Sequence, residues 1–146
     1  MHEDFDLDRF VDAQRAVYGR AMEELRAGRK TSHWMWFMFP QLQGLGRSDM
    51  AQRFAISCTA EARAYLQHGL LGPRLECCVT TLLDHQDKTA HQIFGSPDDL
   101  KLRSSLTLFA AMSTDSSVYQ KALAQFFDDK PDEKTLEMLQ QDPRHP

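Results

Sequence analysis

The stretch Ser32-His33-Trp34-Met35-Trp36-Phe37-Met38-Phe39-Pro40-Gln41 decides how the rest of this chain is read. Two tryptophans and two phenylalanines within six residues bring a large apolar surface, roughly 150–250 Å² for each ring. A run this short with no polar face fits a buried turn of helix or a buried strand, because periodicity cannot separate the two. Thr31 or Ser32 can cap a helix start, and Pro40 stops a helix. No neighbouring segment reads as a strand partner. The spacing therefore predicts a short helix ending near Pro40.

Helical signals surround it. Leu7, Phe10, Val11, Val17, Tyr18, Met22 and Leu25 recur at three- and four-residue steps and mark one face of a long first helix. Asp6 is placed to cap it, Asp8 and Arg26 suit its two dipole ends, and Gly28 can close it in a left-handed conformation. Further on, Ser48 can cap a helix through Met50, Phe54 and Ile56. Thr59 can start one through Tyr65 and Leu66, and Pro73 fits a first turn before Leu75, Val79, Leu82 and Leu83. Thr89 to Phe94 reads as one turn closed by Gly95. Ser96-Pro97-Asp98-Asp99 offers a cap, a proline and two first-turn acids, ahead of Leu100, Leu102, Leu106, Leu108 and Phe109. Val118 to Phe127 and Leu136 to Leu139 carry the last two helices. The expectation is an all-α, compact single domain of about seven or eight helices over 1–146. Its ordered core spans about 5–140, and frayed termini include Gln141-Asp142-Pro143-Arg144-His145-Pro146.

At 146 residues the chain can bury a sizeable core without metal or disulfide staples. Its net charge of −4 argues against a broad nucleic-acid surface or an anionic-membrane surface. Cys58, Cys77 and Cys78 are odd in number and no disulfide framework, which suits a reducing cytoplasm. The acidic N-terminal residues do not read as a targeting segment. The longest apolar run is far short of the roughly 18–20 residues that span a bilayer. A cytoplasmic location, no cofactor and no metal are the expectations, and oligomer formation stays open. The six histidines lack His-Glu-x-x-His spacing, and Cys77-Cys78, set on a helix expected to be buried, reads as small apolar packing.

Chemistry is sought at the edges of the aromatic run. Its side chains can pack as core, or one or both tryptophans can face a cleft and stack on a planar ligand. Arg29, Lys30, Thr31, Ser32 and His33 precede the run, and two cations and two hydroxyls at a helix start are a local recipe for an anion site. Arg47 and Ser48 form a second such start. His33 can titrate near neutrality and suits proton transfer. Lys101 and Ser105, four residues apart, share a helix face.

Several stretches carry a family resemblance. They are Arg9 to Gln14, Ser32 to Gln41, Gly44 to Ser48, Glu61 to Leu66, and Ile93 to Phe109. Together they resemble the bacterial domain-of-unknown-function family 1810, which often bears the label "calpastatin". The resemblance implies a mainly helical fold and no established activity. The label does not transfer, because calpain-inhibitor segments are disordered until bound and this chain is rich in aromatics and capped helices.

Two readings follow. In the first, the chain binds or acts on a small phosphorylated or nucleotide-like ligand at an aromatic and basic cleft. Arg29, Lys30, Ser32, His33, Trp34, Trp36, Gln41, Arg47, Ser48, Lys101 and Ser105 are the candidate contacts, with His33 and Lys101 as candidates for catalysis. In the second, it is a protein-interaction module or small homo-oligomer without chemistry. A concavity joining Trp34 or Trp36 to Lys101 favours the first, and a flat apolar patch favours the second.

Overall fold

Helix α1 (Asp8–Ala27) forms where the apolar spacing places it, and Gly28 closes it at φ 72° with its N–H returned to the last turn. Leu7 rather than Asp6 holds the N-cap, and no side chain caps that end. Arg9 secures it instead. Its guanidinium donates to the carbonyls of Asp6, Arg53 and Ala55 and pairs with the buried Glu61 at 3.0 Å. The computed structural model describes residues 5–114 and 116–142.

The aromatic run supplies one turn, α2 (Met35–Met38). It stops before Pro40, as expected, but neither Thr31 nor Ser32 caps it. Trp34 occupies the N-cap without a side-chain capping bond. Just beyond the run the chain is extended, and Leu42 makes a parallel bridge with Ile56. The Ile56 amide donates to the Gln41 carbonyl at 2.8 Å, and the Gln43 amide to the Ile56 carbonyl at 2.8 Å. The strand-like pairing thus lies past the aromatics, not within them.

The remaining helices are α3 (Asp49–Arg53), α4 (Thr59–Gln67), α5 (Leu71–Leu83), α6 (Ala90–Phe94), α7 (Asp98–Ala111), α8 (Val118–Phe127) and α9 (Glu133–Gln141). The fold is all-α. Nine helices occur among the described residues against an expected seven or eight, and three of them, α2, α3 and α6, are only four or five residues long. Ser48 caps α3, and Thr89 with Gln92 forms a reciprocal capping box on α6. Ser96 does not cap α7. Pro97 holds that position after a cis Ser96–Pro97 bond, and the Gly95 and Pro97 carbonyls receive the first amides. Within the segment expected to fray, Gln141 ends α9, and Asp142 accepts the Thr59 amide at 2.9 Å. The rest of the expected tail, Pro143-Arg144-His145-Pro146, and the first four residues lie outside the described residues.

Helix α1 packs on α2 and α5, α5 on α4 and α8, and α7 on α6, α8, α9 and α4. Aromatic rings join these layers. Phe37, Phe54, Phe10, Tyr65, Phe109 and Tyr119 form one continuous line with neighbouring centroids 4.7–6.1 Å apart. Trp34, Phe39 and Phe94 form a separate triangle. Cys78 is buried, and burial pushes its thiol up to about 12, so it stays protonated and packs as a small apolar group. Cys77, expected to pack likewise, is exposed, because successive residues on a helix point about 100° apart. Among the described residues no helix is long and apolar enough to cross a membrane.

Two glycines test this packing. A methyl group on Gly72 would lie 2.1 Å from the Leu66 carbonyl oxygen, whereas on Gly19, inside α1, it would meet nothing within 4 Å. Gly72→Ala should lower unfolding stability by about 2 kcal/mol or more, and Gly19→Ala should raise it by about 0.5–1 kcal/mol. Urea denaturation of both variants measures this.

Candidate functional site

Glu24 is the residue around which the candidate site is built. It lies in α1 on the core side and is only 9% exposed. Its Oε1 accepts the Thr31 amide at 2.7 Å, the Ser32 amide at 2.9 Å and the Trp34 indole N–H at 2.9 Å. Its Oε2 accepts the Ser32 hydroxyl at 2.6 Å. Burial alone would raise the carboxyl pKa. The bonds from Ser32, Thr31 and Trp34 outweigh it and hold the group down at about 2, against an ordinary 4.5. The residues before α2 do collect around an anion, and the chain supplies that anion itself.

The loop so fixed delivers Lys30 to the start of α7. Its side chain is 8% exposed, and its ammonium donates to the Ser32 carbonyl at 2.6 Å, pairs with Asp98 at 2.8 Å and lies 5.1 Å from the Trp34 ring centroid. Asp98 also meets Lys101 at 3.6 Å, and the Lys101 ammonium sits 5.6 Å from the Trp36 ring centroid. One carboxylate therefore bridges two lysines, each of which rests on a tryptophan of the aromatic run.

Two concavities flank this bridge. The larger, of about 680 Å³, lies along α1 beside Arg20, Glu23, Thr31, Ser32 and His33, with Trp34 beneath. The smaller, of about 300 Å³, lies between α7 and α9 and is lined by Gln41, Leu100, Lys101, Arg103, Asp132 and Lys134, among others. Arg103 donates to the Lys130 and Pro131 carbonyls at 2.7 and 3.0 Å, which fixes the loop into α9. Asp132 caps α9: its Oδ2 accepts both the amide and the hydroxyl of Thr135.

The family model described as "Protein of unknown function (DUF1810)" matches residues 4–139. The chain belongs to this family. It is also similar to the crystal structure of the conserved hypothetical protein Rv1873 from Mycobacterium tuberculosis, with 51% identity and a TM-score of 0.92 over 94% of this chain and 99% of that one. No curated protein sequence matches the chain.

Within this fold the expected contacts divide. Ser32, His33 and Trp34 border the α1 cleft, and Gln41 and Lys101 border the α7–α9 cleft. His33 and Lys101, the two candidates for proton transfer, therefore do not share a cleft. Trp34 is no stacking face: it is completely buried, and its indole N–H is taken by Glu24. Nor can Ser32 be a ready phosphate contact, since its amide and hydroxyl also go to Glu24. Lys30 is neutralised by Asp98. Arg29 and Arg47 are exposed, and the Ser48 hydroxyl is committed to α3. Ser105 is buried with no partner for its hydroxyl among the described residues, so it does not join Lys101 at the surface. Trp36 remains beside Lys101, its indole N–H buried without a partner among the described residues, but neither tryptophan lines the cleft that Lys101 borders, so the expected aromatic and basic cleft is not formed. No cluster of three metal-ligating side chains occurs among the described residues. Glu24, Asp98, Arg103 and Lys134 were not anticipated.

The Glu24 carboxylate contributes stability that is complete above its unfolded pKa and is lost as the pH falls from about 4.5 to about 2. That contribution amounts to about 3 kcal/mol. Glu24→Gln should lower stability at pH 7 by about 2–3 kcal/mol and remove this part of the acid dependence. Urea unfolding of both proteins between pH 7 and pH 3 measures it; identical pH slopes would contradict it.

Proposed function

We propose that this chain binds a small phosphorylated or nucleotide-like anion in the α7–α9 cleft. The observation that carries the reading is the convergence of Lys101, Arg103 and Lys134 on one concavity in a chain of net charge −4. Asp132 is the one carboxylate lining it, and that group is engaged by Thr135. Arg103 serves as a charged wall, because its guanidinium already holds the α9 loop. Lys134 and Lys101, the latter sharing Asp98 with Lys30 at the longer distance of 3.6 Å, are the cations that would meet the ligand.

Lys134 supports this reading in a second way. It lies in the first turn of α9, where the helix dipole disfavours a cation by about 0.3–1 kcal/mol. A ligand anion beside Lys134 would offset that cost. The volume of about 300 Å³ is at the lower end of the range for small-ligand sites, roughly 300–1,000 Å³. The alternative of a partner-binding face has less to rest on. Leu100 is the one large exposed hydrophobic side chain among the described residues, and one leucine is not a patch.

Calorimetric titration with inorganic phosphate, pyrophosphate and adenosine 5′-monophosphate tests the proposal. At least one should bind, and Lys101→Ala combined with Lys134→Ala should weaken it by about tenfold or more, the loss of charge-assisted hydrogen bonds. A thermal shift at a hundred times the dissociation constant should correspond to about 2.7 kcal/mol. Silence across the panel, or an unchanged affinity in the double variant, would overturn the reading.

A further inference from the structure

Leu100 departs from the pattern of its own helix. Leu102, Leu106, Leu108 and Phe109 all enter the core, whereas Leu100 is 57% exposed. It does not stand on open surface. It lines the α7–α9 cleft together with Pro97, which precedes the helix, and Leu45, which comes from the loop after the aromatic run. Two segments distant in sequence thus bring apolar side chains to the cleft that Lys101 and Lys134 also line. The cleft lining combines cations with apolar groups.

We infer that this cleft selects an anion joined to an apolar body, as in an aryl phosphate, over a sugar phosphate of similar size. The inference rests on the anion reading above and narrows it. The phosphate meets the two lysines, and the flat apolar portion covers Leu100, Pro97 and Leu45. Leu100, Pro97 and Leu45 offer no hydrogen-bonding group, so a polyhydroxylated body laid over them would give up water there and find uncharged polar partners only at Gln41 and Ser104, which line the same cleft. Covering the exposed part of Leu100 and its two neighbours with a ring should be worth a factor of about ten in affinity.

The experiment compares phenyl phosphate, glycerol 3-phosphate and inorganic phosphate by calorimetry at one ionic strength, on the full chain and on Leu100→Ser. Leu100 is exposed, so the variant should fold, which its thermal melting curve verifies. Phenyl phosphate should bind about ten times more tightly than glycerol 3-phosphate, and Leu100→Ser should bring that ratio close to one. Equal affinities for the two esters, or a preference that survives Leu100→Ser, would overturn the apolar selection and leave the anion site standing. Failure of all three to bind would overturn both.

Discussion

A single buried carboxylate organises the middle of this protein. Placing a charged group out of water is costly unless its oxygens are hydrogen-bonded. Glu24 meets that condition with two backbone amides, one hydroxyl and one indole N–H. Each of those donors belongs to the segment between α1 and α2. The carboxylate therefore sets the path of that segment, seats Trp34 in the core against Phe39 and Phe94, and turns Lys30 toward Asp98. The start of α7 is tied to the aromatic run through this sequence of contacts, and the α7–α9 cleft takes its position from α7.

This arrangement explains why the flanks of the aromatic run look like an anion site. Backbone donors before a short helix, with lysine and hydroxyl groups nearby, do attract negative charge. Here the charge is Glu24, ten residues before Trp34 on the preceding helix. Lys101, Arg103 and Lys134 meet instead at the cleft between α7 and α9, and Lys101 connects the two regions because its ammonium rests on Trp36.

Much of the fold was legible because it depends on local chemistry. The α1 apolar stripe, the Gly28 closure, the Ser48 cap and the single turn from Thr89 each follow from residues close in sequence. The candidate site was legible in part: Gln41 and Lys101 do border one cleft, while Ser32, His33 and Trp34 border another. Glu24 was missed because a glutamate in a long helix ordinarily faces water. A signal existed. Phe10, Gln14, Ala21 and Glu24 repeat at helical steps, so two polar residues lie on the core stripe, and both are buried. Gln14 donates to the Phe37 carbonyl and the Tyr65 hydroxyl, bracing α2 from the other side. Lys134 and Arg103 could not be joined to Lys101 from sequence, because their meeting depends on how α9 packs on α7.

The path of the segment between α1 and α2 depends on Glu24 being ionised and fully bonded in the folded protein. The most direct measurement is a pH titration of its side-chain carboxyl carbon by nuclear magnetic resonance, within the range where the protein stays folded. The signal should hold its ionised position down to at least about pH 3, as a pKa of about 2 requires. A midpoint near the ordinary 4.5, with the Trp34 indole proton unmoved, would contradict it.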